Sequence, residues 1–211
     1  MKIATFNVRT DTPVDGENRW QFRKGLILDK LTAEQPDVIG FQETTPVMAD
    51  FIKKYMPTYW FVGCGRNADY LGENNMIGFK PDKYELIELE TFWLSETPDV
   101  PGSRYANQSV CPRVCTHAVL RPLDGGTMFH AYNTHLDHIS DEARRLGARA
   151  ILDHMARDLK RRPLPLTLTG DMNAYPDSAP IQEFLNDKTV HLTNQTPDFP
   201  ASYHAYGADM A

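Results

Sequence analysis

The sequence lacks several features that would place it in a specialised class of protein. It has only three cysteines in 211 residues, Cys64, Cys111 and Cys115, and they do not have the spacing of a metal site. A disulfide framework is therefore not indicated, and we expect small buried side chains in a reducing compartment. No apolar run approaches the ~18 residues of a membrane span, and we find no internal repeat or low-complexity segment.

Positive charge is also scarce. Lys and Arg together number 22 against 28 Asp and Glu, which gives a formal net charge of −6. The chain therefore has no global positive field that would attract nucleic acid. This argues against tight non-specific DNA binding, but it does not exclude a nuclease that uses a local site and a cation.

The ordinary features of the sequence predict a single globular domain. Hydrophobic residues make up 41% and charged residues 24% of the chain, values typical of such domains, and the length predicts one domain over residues 1–211. The N-terminus enters a strand-like pattern at once and carries no signal peptide. We therefore predict a cytoplasmic protein, with a signal peptide already removed as the alternative.

Short apolar runs alternate along the chain with stretches of helical periodicity. Several consecutive predicted strands have no helix between them, which favours mixed or antiparallel sheets over a purely parallel doubly wound sheet. No Gly-rich nucleotide loop follows the first strand. Helices are predicted over 18–31, 46–55, 140–162 and 180–185. Strands are predicted over 3–8, 37–43, 60–62, 76–80, 84–94, 115–120, 128–135 and 164–169.

Four of the predicted strands end in polar residues that suit a cation or a phosphate better than a core. These are Asn7, Glu43, the segment 133–137 and the segment 170–173. Alternation along a strand predicts Asn133, His135 and Asp137 on one face. Each strand end has an ordinary alternative: a turn residue, a helix-capping carboxylate or a half-buried histidine. Because ligands collect at strand ends in open sheets, their coincidence predicts one shared site. Carboxylate and amide oxygens suit Mg²⁺, Mn²⁺ or Ca²⁺ and not zinc.

Five motifs follow one another along the chain: ATFNVR at 4–9, DVIGFQE at 37–43, GE at 72–73, NTHLDH at 133–138 and LTGDMN at 168–173. Together they resemble the endonuclease/exonuclease/phosphatase superfamily, the group with the DNase I-like fold. Two further segments, 92–98 and 112–113, resemble a bacterial branch of unassigned substrate. The resemblance implies an α/β fold, a four-layer α/β/β/α sandwich of two mixed, largely antiparallel sheets.

The resemblance also implies a metal region and a catalytic dyad. Asn7 and Glu43 would hold Mg²⁺, with Mn²⁺ as the alternative ion. Glu73 would pair with His135, so that the carboxylate fixes the imidazole tautomer and raises its pKa. Such a histidine would serve as a general acid or a phosphate clamp.

The remaining matched residues would act on water and phosphate. Asp171 would orient or deprotonate the attacking water, and Asn173 would hold a phosphate oxygen. Arg113 would bind a non-bridging oxygen, with a solvated or structural arginine as the alternative. The implied activity is Mg²⁺-dependent hydrolysis of a phosphodiester or phosphomonoester by in-line attack of water.

Two features leave the substrate open. Seven basic residues on the helix 140–162 could meet a polyanion, although a solvated outer face explains them more simply. The loop 63–75 is expected to border the cleft, but its composition does not choose among a nucleic acid, a phospholipid head group, a phosphoinositide and a nucleotide. The oligomeric state is equally open.

The sequence departs from the family pattern at its C-terminal end. Family members continue with an Ile-Asp-Tyr strand and a Ser-Asp-His motif, which do not occur before Ala211. His204 comes too early to be the family's catalytic histidine. Because loss of a central strand exposes a sheet edge, a truncated enzyme is favoured over a tail from another chain or an inactive remnant. The rival function is a catalytically inactive binding or scaffold protein on the same fold.

Overall fold

The computed structural model describes residues 1–197 and 202–203, so His204 lies outside the described residues. Every predicted helix and strand is present with its ends shifted by at most a few residues, and an unpredicted 3₁₀ helix, Pro13–Asn18, precedes the first helix. In chain order the elements are β1 Ile3–Asn7, α1 Trp20–Glu34, β2 Val38–Gln42, α2 Pro46–Tyr55, β3 Trp60–Val62, β4 Ile77–Phe79, β5 Tyr84–Trp93, β6 Val114–Pro122, β7 Phe129–His135, α3 Asp141–Arg161, β8 Leu166–Asp171 and α4 Ala179–Leu185.

The strands form two four-stranded sheets. The first has the order β1-β2-β4-β3, and the second has the order β5-β6-β7-β8. Helix α1 connects the parallel pair β1 and β2, and α3 connects the parallel pair β7 and β8, while the other neighbouring strands pair antiparallel. The predicted mixed, largely antiparallel sheets are therefore confirmed.

Three apolar clusters hold the layers together. The first joins the outer face of β2 to α1 and α2, and the second joins the outer face of the second sheet to α3 and α4. The third lies between the sheets and contains Val38, Ile77 and Phe79 from one sheet and Leu120 and Ala131 from the other. Alternation along each strand assigns one set of side chains to each cluster, which gives the layer order α/β/β/α.

The two sheets approach each other closely at Gly40 of β2. A Cβ atom at this position would lie 2.1 Å from Oγ1 of Thr169 and 2.5 Å from Oδ1 of Asn133, so no other residue fits without movement. Beside it, the fully buried Asn133 side chain donates to the carbonyl oxygens of Phe41 at 2.8 Å and Met76 at 3.1 Å. It also accepts from Nε2 of Gln42 at 2.7 Å. This polar seam sets the register between the sheets.

Helix α3 follows the capping pattern predicted for it. Ser140 accepts from the Ala143 N–H at 3.1 Å, and acidic residues occupy the first turn and basic residues the last. Most of its arginines pair with nearby carboxylates: Arg144 with Asp141, Arg145 with Glu183, Arg149 with Asp153 and Asp187, and Arg161 and Arg162 with Glu88. This pairing favours the solvated outer face over a polyanion-binding surface.

The cysteines and the helices agree with the absences noted in the sequence. All three cysteines are free thiols, and Cys115 is fully buried. Over the described part of the chain, each helix is too short or too polar to cross a membrane.

Candidate active site

Polar side chains from four strands meet at one end of the seam between the two sheets. Asn7 is the last residue of β1, Glu43 follows β2, His135 ends β7 and Asp171 ends β8. Glu43, His135 and Asp171 each have one atom able to bind a metal ion, and these three atoms lie within 4.8 Å of one another. The predicted convergence of these strand ends is therefore present in the structure.

The amide of Asn7 joins the two carboxylates of this site. Its Nδ2 atom donates to Oε1 of Glu43 at 2.8 Å and to Oδ2 of Asp171 at 2.7 Å. Its Oδ1 atom instead accepts from the Arg9 N–H at 2.7 Å. In this arrangement Asn7 holds the carboxylates as a donor, and its role as a metal ligand stays a prediction.

Backbone groups hold the other oxygen of each carboxylate. The Thr10 N–H donates to Oε2 of Glu43 at 2.7 Å, and the Asn173 N–H donates to Oδ1 of Asp171 at 2.9 Å. Glu43 and Asn173 have φ angles of 62° and 47°, in the left-handed region. Asparagine tolerates this region, whereas for glutamate it costs on the order of 1 kcal/mol, and such strain is typical of functional sites.

His135 differs from its predicted state. Nδ2 of Asn173 donates to Nε2 of His135 at 2.9 Å, so Nε2 is an acceptor and the ring proton lies on Nδ1. Burial, followed by the positive charge of Arg113, lowers the pKa of His135. The expectation of a raised pKa is therefore wrong, because desolvation of the ring outweighs the attraction of the nearby carboxylates.

The predicted dyad of Glu73 and His135 does not form. Glu73 binds Nη1 of Arg66 at 2.6 Å, and no hydrogen bond among the described residues joins it to His135. Burial is the largest effect on Glu73 and raises its pKa, although Arg66 opposes the shift. Glu73 therefore belongs to an ion pair at the edge of the site, in the loop that was expected to border the cleft.

Arg113 is a buried cation beside this site. Its side chain is 4% exposed, and its Nη2 atom lies 2.7 Å from Nδ1 of His138 while Nε lies 3.6 Å from Oδ1 of Asp137. Among the described residues, its Nε and Nη1 atoms have no hydrogen-bond partner. The guanidinium is thus partly structural, and it retains donors that suit a phosphate oxygen.

Asp137 has a structural role that the sequence did not reveal. Alternation predicted it on one face with Asn133 and His135, but β7 ends at His135 and the chain turns there. The buried carboxylate accepts from the Ser109 hydroxyl and from the N–H groups of Ile139 and Ser140. Asp137 therefore fixes the turn into α3 and does not face the site.

Comparison with solved structures agrees with the architecture. The chain is 33% identical to an endonuclease/exonuclease/phosphatase from Bacteroides vulgatus, with a TM-score of 0.83 over 89% of this chain and 71% of that one. It is 30% identical to a mannosyl-6-phosphatase from Bacteroides thetaiotaomicron, with a TM-score of 0.84 over 88% of this chain and 70% of that one.

Sequence comparison gives the same result. An uncharacterized protein of Acanthamoeba polyphaga mimivirus is 26% identical over 145 residues, 65% of this chain and 54% of that protein, so the chain spans about half the length of this relative. The model of the endonuclease/exonuclease/phosphatase family matches residues 4–209. With this match over nearly the whole sequence, the chain belongs to the endonuclease/exonuclease/phosphatase family.

Proposed function

We propose that this protein is a divalent-metal-dependent hydrolase of phosphoester bonds. The proposal rests on the convergence of Glu43, His135 and Asp171 at one end of the seam between the sheets. Their potential metal-binding atoms lie within 4.8 Å of one another. Membership of a family that includes phosphatases and nucleases supports it. The 30% identity with a mannosyl-6-phosphatase supports it further.

The donor set suits Mg²⁺ or Mn²⁺. Glu43 and Asp171 each have one oxygen tied to a backbone N–H, and the other oxygens, Oε1 and Oδ2, face the same Asn7 amide nitrogen. Oriented carboxylate oxygens are the ligands that these hard cations prefer. A bound ion would neutralise charge on the phosphate and lower the pKa of a coordinated water.

The side chains would divide the chemistry between water and phosphate. Asp171 would accept the proton of the attacking water, and Arg113 would donate to a phosphate oxygen. Nδ2 of Asn173 already donates to Nε2 of His135 and to the Leu136 carbonyl oxygen, so one of these bonds would have to break before Asn173 could hold the phosphate. The water oxygen forms the new bond to phosphorus as the ester P–O bond breaks, and the leaving oxygen takes a proton from solvent. His135 is neutral with an acceptor Nε2, so in this proposal it orients Asn173 and does not protonate the leaving group.

A sugar phosphomonoester is the substrate class to test first. The named relative acts on such a compound. A nucleic-acid polymer is a weaker candidate, because the chain has a net charge of −6 and the arginines of α3 are paired with carboxylates. Phosphodiesters remain the second substrate class in the assay.

The test measures phosphate release from mannose 6-phosphate and p-nitrophenol release from bis-p-nitrophenyl phosphate, each with Mg²⁺ and with EDTA. We expect Mg²⁺-dependent turnover of at least one substrate. Asp171→Ala is expected to reduce it by at least ~100-fold, the lower end of general-base contributions. Asp177→Ala, at an exposed aspartate in the same loop, is the matched control and should stay within about twofold.

Two outcomes would contradict the proposal. One is a folded chain that hydrolyses neither substrate in the presence of Mg²⁺ or Mn²⁺, which would favour a binding or scaffold protein on this fold. The other is hydrolysis that survives Asp171→Ala, which would locate the activity elsewhere.

A further inference from the structure

A second group of titratable side chains lies on the opposite face of the second sheet, beneath α3. We call it the histidine cluster: Glu90 on β5, His117 on β6, His130 on β7, and His154 and Asp158 on α3. The three histidines are 0%, 0% and 4% exposed, and Asp158 is 5% exposed. Such a concentration of imidazole in a protein interior needs an explanation, because each ring must satisfy two nitrogens away from water.

The hydrogen bonds determine which nitrogen of His117 carries the proton when the rings are neutral. Nε2 of His130 lies 3.0 Å from the Arg162 carbonyl oxygen, which can only accept, so Nε2 is the donor. Nδ1 of His130 then accepts from Nε2 of His117 at 2.9 Å. The other nitrogen of His117, Nδ1, is left with its lone pair.

This lone pair faces a carboxylate. Nδ1 of His117 lies 3.5 Å from Oδ2 of Asp158, and Nδ1 of His154 lies 3.1 Å from the same oxygen. Within the described part of the chain, neither Nδ1 atom has a hydrogen-bond partner.

Asp158 itself is compensated, because it accepts from the Tyr132 hydroxyl and lies 3.4 Å from Nη2 of Arg161. The unsatisfied atoms are thus the two buried nitrogens, which a bound cation would satisfy. A metal ion can satisfy these nitrogens, because it binds a neutral imidazole ring through its lone pair.

Donor chemistry and access both fit such an ion. Glu90, His117 and His154 each have one atom able to bind a metal ion, and these three atoms lie within 4.8 Å of one another. A surface pocket lined by Glu90, His154, Arg157, Asp158 and Arg161 opens two of these three residues, Glu90 and His154, to solvent. Two imidazoles and one carboxylate are a common ligand set for Zn²⁺, with the fourth position left to water. The carboxylate-rich active site favours a harder ion.

The neighbouring side chains hold the two rings in place. His117 stacks on Tyr132 with centroids 4.3 Å apart, and His154 stacks on Phe92 at 4.1 Å. Nδ1 of His154 faces Asp158 while Nε2 lies 3.0 Å from Oε2 of Glu90. In the metal-bound form Nε2 of His154 would bind the ion and its Nδ1 would carry the proton that faces Asp158. A carboxylate behind a ligating histidine is the usual way to fix its tautomer and orientation.

We propose that the histidine cluster is a zinc site in which Glu90, His117 and His154 are the ligands and Asp158 and His130 orient the two imidazoles. This site is independent of the phosphoesterase proposal, since it lies on the other face of the sheet and shares no residue with the candidate active site.

The test separates the two candidate metal sites by substitution. Glu43→Gln with Asp171→Asn removes the carboxylates of the active site, and the doubly substituted chain is titrated with Zn²⁺ by calorimetry and with Co²⁺ by visible absorption. We expect one equivalent of Zn²⁺ and a Co²⁺ spectrum of a four-coordinate nitrogen and oxygen site. In the same background, His117→Phe and His154→Phe are expected to weaken binding by at least ~100-fold.

Glu90→Gln keeps the test decisive if the histidine variants do not fold. The Glu90 side chain is 42% exposed, so its amide is expected to leave the fold intact while weakening zinc binding by roughly 10–100-fold. His191→Asn, at an exposed histidine outside the cluster, is the matched control and should bind as the background does. At a Zn²⁺ concentration a few times the dissociation constant of the background chain, added Zn²⁺ should raise the melting temperature of that chain more than that of Glu90→Gln.

Two results would overturn the zinc site. One is a folded background chain that takes up no Zn²⁺ and shows no rise in melting temperature, which would leave a purely proton-based hydrogen-bond network. The other is zinc binding that neither Glu90→Gln nor His117→Phe changes.

Discussion

The two faces of β7 carry two unlike polar clusters. Asn133 and His135 point between the sheets towards the candidate active site, whereas His130 and Tyr132 point outward beneath α3. Because side chains alternate along a strand, seven consecutive residues can serve two sites without sharing a side chain. The comparison shows that strand position, and not residue type, separates these two histidine environments.

Exposure also differs between the clusters. The carboxylates of Glu43 and Asp171 are only half-buried, at strand ends where a substrate can reach them. His117 and His130 are fully buried within their strands and lie beneath α3. We therefore expect substitutions at the half-buried strand ends to affect hydrolysis and substitutions of fully buried residues to affect stability.

Glu43→Gln tests the inner cluster with the largest expected effect. Loss of the charged oxygen that faces Asn7 is expected to reduce Mg²⁺-dependent hydrolysis by about 10²–10³-fold, the range for removing one charge-stabilising group. The free energy of unfolding should change by less than about 1 kcal/mol, since the amide can keep one of the two hydrogen bonds. Steady-state kinetics and urea denaturation measure the two, with the exposed Glu96→Gln as the control. Equal losses of activity in both variants would contradict the assignment.

Asn133→Leu would break the polar seam between the two sheets. The substitution leaves the Phe41 carbonyl oxygen buried without its side-chain donor and removes the bond from Gln42, whereas the Met76 carbonyl oxygen keeps the Phe41 N–H at 2.9 Å. We expect the free energy of unfolding to fall by about 3 kcal/mol, because one orphaned buried group costs about 1–3 kcal/mol and each further lost hydrogen bond costs about 1 kcal/mol. Thr167→Val, which removes one bond to the His130 carbonyl oxygen, is the control and should cost about 1 kcal/mol. If urea denaturation gave equal losses of unfolding free energy for the two variants, the polar seam would contribute no more to stability than an ordinary hydrogen bond.

The stability of the protein at acid pH depends on Asp137, the carboxylate that follows β7. Burial alone would raise the pKa of Asp137, but hydrogen bonds from Ser109, Ser140 and Ile139 outweigh it and lower the pKa from 3.8 to about 2. The ionised form is thus favoured in the folded state, and the stabilisation is complete above pH 4 and disappears as the pH falls towards 2. We expect Asp137 to contribute about 2 kcal/mol to this loss.

Chemical denaturation at a series of pH values measures this contribution. Asp137→Asn should be less stable at pH 6 and should show a shallower loss between pH 4 and pH 2 than the unaltered chain. Parallel curves for the two proteins would mean that other carboxylates cause the acid unfolding.

Tyr132→Phe gives the smallest effect and sharpens the contrast between the faces. The hydroxyl of Tyr132 donates to Oδ2 of Asp158, and the substitution removes only that bond. We expect the free energy of unfolding to fall by about 1–2 kcal/mol, as for hydrogen bonds to charged groups. Hydrolysis should stay within about twofold of the unaltered chain. A large loss of activity would show that the two faces of β7 are coupled.

Much of the fold was predictable because its elements are locally encoded. Apolar periodicity gave the helices and strands, and polar residues at strand ends gave Glu43, His135 and Asp171 as neighbours. The partner of Glu73 was not predictable, since Arg66 reaches it only through the conformation of an irregular loop. Alternation failed at Asp137 because the strand ends two residues earlier.

The histidine cluster escaped prediction for a different reason. Its members are spread over residues 90–158, and each one alone is an ordinary residue of a strand or helix. A faint local signal was present in the i, i+4 spacing of His154 and Asp158 on α3, which places both on one helical face. Sheet pairing brings the remaining residues to that face, and this requires the tertiary structure.

The long separation between the contacts of the active site has a consequence for the order of folding. The hydrogen bond between Asn7 and Asp171 spans 164 positions, and that between Gln42 and Asn133 spans 91. During synthesis the N-terminal sheet can form well before β8 leaves the ribosome, but the candidate site does not exist until the two sheets dock. Contacts of such high sequence separation form late and slowly. A ligand of this site would therefore recognise only the finished chain, and it would slow unfolding without speeding folding.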